Sequence, residues 1–382
     1  MELFKLRGEL SKKQSWLLGA IGFILFILFW WLMAESLSKK KPIIEGYDTQ
    51  LPSSISGEHN IDLDSLARAD SLAFANATEF EIIYPNLPPP QRVASSFGSL
   101  VKDDDLVSNI IQSIWINIQG YLWAVLIAIP LGFLIGLIPL FRGLFSKQVD
   151  AIRFLPLSAL VGLFVAWFGI YNGMKVAFLA FGILVYLLPV IVQRIYEVED
   201  VYLKTVFTLN ANSWQTIKSV YLPSVMSKVM DDMRVLTAIS WTYIIIAELV
   251  NRQGGIGSLI FIKARQGQLE KVFAILIIII FIGFIQDQVF KLIDRTLFPH
   301  RNYKNMRPGL NEAKLGTKLW LGVLALAVVG NSIMDLPTVS LKGFSLSTLF
   351  LLVIIVGILF MLYGMLMAYI NNRTNKEVNA VH

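Results

Sequence analysis

Polar side chains inside a long apolar run are the first residues that could do chemistry, because each is costly to place in a lipid bilayer. Such side chains interrupt the apolar run from about 233 to 250. Ser240, Trp241 and Thr242 lie near its middle, and Glu248 lies near its end. We predict that these four side chains line a pathway across the membrane. For Glu248 the alternative is an interfacial carboxylate in contact with water.

Residues for catalysis or metal binding are not recognisable in the sequence. Cysteine is absent, and the three histidines, His59, His300 and His382, lie far apart, so no repeated spacing of metal ligands occurs. No glycine-rich phosphate loop ends in Gly-Lys-Ser/Thr. We therefore predict a chain that is not an enzyme, with no catalytic residue, no metal and no cofactor. The segment Gly254–Gly257 is expected to make a tight turn.

The most patterned polar stretch, residues 196–228, is too polar to cross a membrane. Apolar side chains recur at helical spacing from Leu203 to Phe207. Asn212 followed by Gln215 three residues later has the pattern of a capping box, which predicts a second short helix that Pro223 would end. Two short helices joined by a tight turn would form a compact cytoplasmic knob that a partner protein could grip.

This stretch resembles a cytoplasmic motif of the permeases of binding-protein-dependent ABC importers. That motif reads Glu-Ala-Ala, three residues, Gly, nine residues, then Ile-x-Leu-Pro. At the same spacing this chain has Lys204-Thr205-Val206, then Asn210, then Val220-Tyr221-Leu222-Pro223. Asn210 replaces the glycine, a mild change because asparagine tolerates the left-handed conformation of such a turn. Lys204 replaces the acidic residue. Either the partner protein carries a compensating change, which is our hypothesis, or this contact contributes little energy.

Neighbouring segments extend the resemblance over roughly residues 85–300. The stretch from Leu209 to Gln215 is similar to the family sequence Leu-Gly-Ala-Ser-x-Trp-Gln. Ala247-Glu248 followed by Gly254–Gly257 is similar to the next block of the family. Leu87–Pro90 resembles the Leu-Pro-x-Pro element of the nitrate, sulfonate, taurine and bicarbonate branch.

The resemblance implies a transport mechanism driven from outside this chain. Two permease subunits, expected to be a homodimer, would form the pathway for a small anionic solute. Two copies of a cytosolic ABC ATPase would drive alternating access, and an extracytoplasmic substrate-binding protein would deliver the solute. The residues that the resemblance assigns to ATPase coupling are Lys204, Thr205, Val206, Phe207, Asn210, Ala211, Asn212, Trp214, Leu222 and Pro223.

Composition and apolar runs predict an all-α, polytopic bundle in a lipid bilayer. Hydrophobic residues make up 55% of the 382 residues and charged ones 16%. Apolar runs long enough to span a hydrocarbon core of roughly 30 Å must be helical in lipid. We predict eight spans, and the family resemblance implies that six of them form a type I permease core and that the last two are extra C-terminal helices. They lie at about 16–33, 115–138, 154–171, 175–193, 233–250, 272–290, 318–334 and 346–370.

Lysine and arginine counts in the short loops predict that both termini are cytoplasmic, and the family resemblance implies a bacterial inner-membrane protein. The predicted domains are residues 1–34, an N-terminal transmembrane helix; 35–113, an extracytoplasmic segment with an insert; 114–300, the permease core with the coupling region 196–228; and 301–382, a C-terminal extension. For the first helix the alternative is a secretory signal peptide. The basic charges therefore report orientation, and no nucleic-acid partner is expected.

Two other function classes stay open at this point. An ion-gradient-driven secondary transporter would be expected to show an internal repeat and central charges, and neither is clear in the sequence. A membrane scaffold or sensor that binds a ligand through its outer segment would not need the patterned stretch at 202–222.

Overall fold

The computed structural model describes residues 10–42, 80–251, 254–298 and 310–334, with 340–341, 344–345, 358–359, 362–363 and 366. In chain order the helices and strands are α1 (Lys12–Ser36), β1 (Lys39–Pro42), β2 (Phe80–Ile83), α2 (Pro90–Asp103), α3 (Leu106–Leu137), α4 (Pro139–Ile152), α5 (Leu157–Phe168), α6 (Asn172–Tyr196), α7 (Asp200–Thr208), α8 (Ser213–Thr216), a π-helical turn (Ile217–Tyr221), α9 (Leu222–Asn251), α10 (Ile256–Arg265), α11 (Leu269–Leu297), α12 (Leu310–Met334), β3 (Ser340–Leu341) and β4 (Phe344–Ser345). The predicted all-α class is confirmed, because the strands in the described residues form two short antiparallel pairs.

Six helices of the described chain are long and apolar enough to cross a membrane. They are Lys13–Ser36, Leu106–Leu137, Asn172–Tyr196, Ser213–Val250, Leu269–Leu297 and Glu312–Gly330. Each contains or overlaps one of the predicted spans, so six of the eight predicted spans have a helical counterpart.

The predicted span at 154–171 is shorter in the structure. Its helix α5 has 12 residues, which is about 18 Å long and shorter than a hydrocarbon core. Helices α4 and α5 meet at 106°, and together they provide at most a seventh span. Pro156 immediately precedes α5 and cannot continue a helix that arrives from α4, which accounts for the break. The predicted last span, 346–370, lies almost entirely outside the described residues.

The described residues form two compact units, one within residues 1–105 and 260–277 and the other within residues 106–259 and 278–382. In the larger unit, α3, α6 and α9 surround one apolar core. Three glycines of α3 lie against large side chains of α6, which lets the two backbones approach closely. The facing pairs are Gly120 with Leu179, Gly132 with Ile191, and Gly136 with Ile195. The Gly132 and Gly136 spacing thus serves helix packing.

In the smaller unit, the two-stranded sheet of β1 and β2 follows α1 and precedes α2. The indole Nε1 of Trp30 in α1 donates a hydrogen bond of 3.1 Å to the carbonyl of Pro88. The last proline of the run, Pro90, is the first residue of α2. Proline suits this position because an N–H there would have no partner within the helix. The spacing of apolar residues from Ile61 to Phe74 predicts a short amphipathic helix within 58–77, and this segment lies outside the described residues.

Two lysines enclose the carboxylate of Asp104, the residue that follows α2. Lys271 Nζ donates to Asp104 Oδ2 at 2.6 Å, and Lys263 Nζ contacts Asp104 Oδ1. Burial by itself would raise the pKa of the Asp104 carboxyl. The hydrogen bonds from Lys263 and Lys271 outweigh burial and hold this pKa below its ordinary value. The folded state therefore favours the charged form of Asp104.

We expect the stabilisation from Asp104 to be lost in acid. Because its folded-state pKa lies below the ordinary value of 3.8, the stabilisation is complete above that value and declines as pH falls through the folded-state pKa. Thermal unfolding of the wild type and of Asp104→Asn should therefore differ at neutral pH and converge in acid. The exposed neighbour Asp103 provides the control Asp103→Asn, which should change little. A difference that persists undiminished in acid would contradict this account.

Candidate functional site

The polar stretch forms the predicted pair of short helices, α7 and α8. Asn210, which lies between them, has a left-handed φ of 54°, a conformation that asparagine tolerates better than most residues. The predicted capping box is present. Gln215 N donates to Asn212 Oδ1 at 2.8 Å, and Asn212 N donates to Gln215 Oε1 at 2.9 Å. The turn is therefore held by its own local hydrogen bonds.

We call residues 200–216 the knob, and it exposes large apolar side chains. Phe207, Leu209 and Trp214 have 66%, 76% and 70% of their surface exposed. Of the other predicted coupling residues in the knob, Lys204, Thr205, Asn210 and Asn212 are exposed, and Val206 and Ala211 are half-buried. Exposed apolar groups of this size on a rigid polar segment are typical of a surface that another protein covers.

The predicted end of the second helix at Pro223 is wrong. Helix α8, the π-helical turn and α9 are continuous from Ser213 to Val250. A proline inside a helix normally clashes with the carbonyl four residues earlier. Here that carbonyl belongs to Ser219, inside the π-helical turn, whose wider turn makes room for the ring. The knob is thus built directly onto a membrane-spanning helix, with Leu222 exposed and Pro223 half-buried at the junction.

Glu248 is the centre of a buried polar cluster at the other end of α9. Ser113 Oγ donates to Glu248 Oε1 at 2.6 Å, and Gly257 N donates to Glu248 Oε2 at 2.8 Å. Ile256 N in turn donates to Ser113 Oγ at 2.8 Å. The alternative interpretation of Glu248 as an interfacial carboxylate in contact with water is wrong, because the residue is 0% exposed. Its place in a pathway stays a prediction. Its carboxylate holds the start of α10 against α3 and α9.

Residues that sequence reasoning missed complete this cluster. Lys175 Nζ donates to the carbonyl of Gly254 at 3.2 Å, and Asn109 Oδ1 accepts from Gly255 N at 2.8 Å. Both glycines have positive φ, which confirms the predicted tight turn. Lys175 is fully buried and is attracted electrostatically to Glu248. Lys175 could have been predicted as a member of this cluster, because it is a charged residue at the start of an apolar run. No local feature of the sequence indicates the same role for Asn109.

The mid-helix candidates lie mainly between helices of this chain. Ser240 is buried, and it accepts a hydrogen bond of 3.0 Å from Asn117 Nδ2. Trp241 is also buried, and its Nε1 donates to Gln286 Oε1 at 3.0 Å. Thr242 is exposed. Of these three residues, Thr242 therefore presents a surface that a pathway or a second subunit could use.

Residues 106–299 match the family described as the binding-protein-dependent transport system inner membrane component. The match covers just over half of the 382 residues and includes the knob and the Glu248 cluster. The chain belongs to this family. The resemblance seen in the motif at 204–223 is thereby confirmed.

Relatives of this permease are themselves named as permeases. The Bacillus subtilis protein SsuC, named as an aliphatic sulfonates transport permease, is 26% identical over 219 residues, which are 56% of this chain and 78% of SsuC. The Escherichia coli taurine transport system permease protein TauC is 25% identical over 218 residues, 56% of this chain and 79% of TauC. A chain of the inward-facing MetNI methionine ABC transporter is 15% identical with a TM-score of 0.45, covering 50% of this chain and 95% of that chain.

Family membership establishes the broad role of the permease. It is a multi-pass membrane protein and a permease of the ABC importer family. The relatives are named as permease subunits rather than as enzymes. Importers of this family depend on a substrate-binding protein, as the family description states.

Proposed function

We propose that this permease carries a small anion inward and is driven by a cytosolic ATPase that grips the knob. The observation that carries the proposal is the exposure of Phe207, Leu209 and Trp214 on a segment continuous with a spanning helix. Aromatic side chains at the centre of an interface supply much of its binding energy. The coupling residues proposed are the ten that the motif assigns: Lys204, Thr205, Val206, Phe207, Asn210, Ala211, Asn212, Trp214, Leu222 and Pro223.

The rigidity of the knob supports this role. Its turn is closed by the Asn212 capping box, and its second helix runs without a break into α9. A partner that moves the knob would therefore move the inner end of α9 with it. A flexible loop would absorb such a displacement instead of transmitting it.

Phe207→Ala combined with Trp214→Ala is expected to weaken ATPase binding about thirtyfold or more, because a central aromatic contact contributes about 2 kcal/mol. The measurement is the affinity between the purified permease and the ABC ATPase that co-purifies with it from its own cells. Trp16→Ala, which truncates an 81% exposed indole in α1, is the matched control and should leave the affinity unchanged. Equal affinities for the knob variant and the wild type would contradict a coupling role.

Lys204 places a cation where the family motif has an acid. We propose that the ATPase carries a compensating acidic residue at this contact. Lys204→Glu should weaken binding, and the reciprocal charge change in the ATPase should restore it. A double-mutant cycle with no coupling energy would exclude the compensation.

The names of SsuC and TauC suggest a sulfonate as the transported anion. Proteoliposomes that contain two permease copies, the ATPase and the binding protein should take up taurine or ethanesulfonate only with ATP and the binding protein present. Uptake driven by an ion gradient without ATP would instead indicate a secondary transporter. We further propose that both termini are cytoplasmic, that residues 35–113 are extracytoplasmic, that residues 114–300 form the core, and that residues 301–382 are a peripheral extension.

A further inference from the structure

An arginine at the end of α6 holds two carboxylates near the knob. Arg194 Nε donates to Asp232 Oδ2 at 2.8 Å, and Arg194 Nη2 donates to Asp232 Oδ1 at 2.7 Å. Arg194 Nη1 donates to Glu197 Oε2 at 2.7 Å. The Asp232 contact is bidentate, a geometry that fixes direction as well as distance and that lysine cannot reproduce. The hydrogen bond from Arg194 holds the pKa of the Glu197 carboxyl below its ordinary value, so Glu197 stays charged at neutral pH.

The two carboxylates belong to different parts of the fold. Asp232 lies on α9, and Glu197 is the residue that follows α6 on the way to α7. From α9, Lys228 Nζ also reaches the Glu197 carbonyl at 3.2 Å and Glu197 Oε2 at 3.4 Å. The turn that leads into the knob is therefore tied to α9 by two cations.

On its other side, the knob is joined to α9 by a continuous helix. The chain leaves the knob through the π-helical turn and enters α9 without a break. Both ends of the knob are thus fixed to the inner end of α9, one covalently and one through ions. Without the ionic link, α6 would be joined to the knob by the turn at 197–199 and, through α9, by the apolar contacts of the shared core.

We propose that Arg194 is a positioning residue that braces α6 to α9, so that a displacement of the knob moves both helices together. This inference rests on the proposed function, because it assumes that an ATPase moves the knob. Helix α6 has 25 residues, about 37 Å in length. A brace at one end of it would carry the displacement to Asn172 at the opposite end.

The absence of cysteine from the sequence allows a direct test. Asn172→Cys adds one exposed thiol at the far end of α6. The permease with this thiol is assembled with its ATPase in nanodiscs, and the rate of labelling by a maleimide is measured without nucleotide and with ATP and vanadate. In the Asn172→Cys background the rate should change with nucleotide. With Arg194→Gln added, we expect ATP hydrolysis to continue and the nucleotide-dependent change in labelling to be lost.

Two further variants separate the brace from general effects. Arg295→Gln removes the same charge from an exposed position of α11 and should leave the response unchanged. The charge-reversed pair Arg194→Asp with Asp232→Arg should restore part of the nucleotide-dependent change in labelling that Arg194→Gln abolishes. A full response with Arg194→Gln would overturn the brace alone. The brace would also be contradicted if Arg194→Gln abolished ATPase binding and the charge-reversed pair did not restore that binding. If the background permease itself neither binds the ATPase nor responds to ATP, the proposed function fails and the brace fails with it.

Discussion

Glu248→Ala is expected to lower the free energy of unfolding by about 3–5 kcal/mol, the usual cost of removing one member of a buried charged cluster. The alanine leaves the Ser113 hydroxyl and the Gly257 amide without their acceptor, and each unsatisfied buried donor is costly. It also leaves Lys175 as a buried cation without the carboxylate that attracts it. The turn at 254–257 should loosen, because its amide contact to α9 is lost.

The measurement is chemical denaturation of the purified permease in detergent micelles. Glu199→Ala, which removes an exposed glutamate that makes no side-chain cap, is the matched control and should have little effect. Because the penalty includes an uncompensated lysine, Lys175→Met combined with Glu248→Ala should be less damaging than Glu248→Ala alone. Additive losses in the double variant would show that the two residues act independently.

Gly132→Leu is the second substitution with a large expected effect. A Cβ at Gly132 would lie 2.5 Å from Ile191 Cγ2, so even the first added carbon overlaps a side chain of α6. Overpacking typically costs about 1–3 kcal/mol, and we expect Gly132→Leu at the upper end of that range because α3 and α6 must separate. Since α6 carries Lys175 and Arg194, separation should also disturb the clusters at both of its ends.

Gly283→Leu provides the control for the same chemical change in a spanning helix. Gly283 lies in α11, and a Cβ there would meet nothing within 4 Å in the described structure. Thermal unfolding in detergent should therefore distinguish the two leucine variants clearly. Gly132→Ala combined with Ile191→Ala exchanges volume across the contact and should be less damaging than Gly132→Ala alone. Equal stability of the two leucine variants would contradict close packing of α3 on α6.

Local features of the site were predictable because they depend on neighbours in sequence. The Asn212 capping box and the left-handed Asn210 each depend on residues within one turn of the chain. The prediction that the second short helix ends at Pro223 also rested on a local signal, and it was wrong. The π-helical turn that accommodates the ring is held in a helix that packs through Val225 and Val229, and that packing is not visible in a short sequence window.

The sequence by itself determined that the chain inserts in a membrane, that it has a knob, and to which family it belongs. Those properties follow from long apolar runs and from short-range spacing, which act residue by residue. The tertiary structure alone decided how the polar side chains pair. Glu248 accepts a hydrogen bond from Ser113, which is 135 residues away in the sequence. Arg194 donates to Asp232, which is 38 residues away. Such partners are chosen by which helix ends meet, and that choice depends on the packing of the whole bundle.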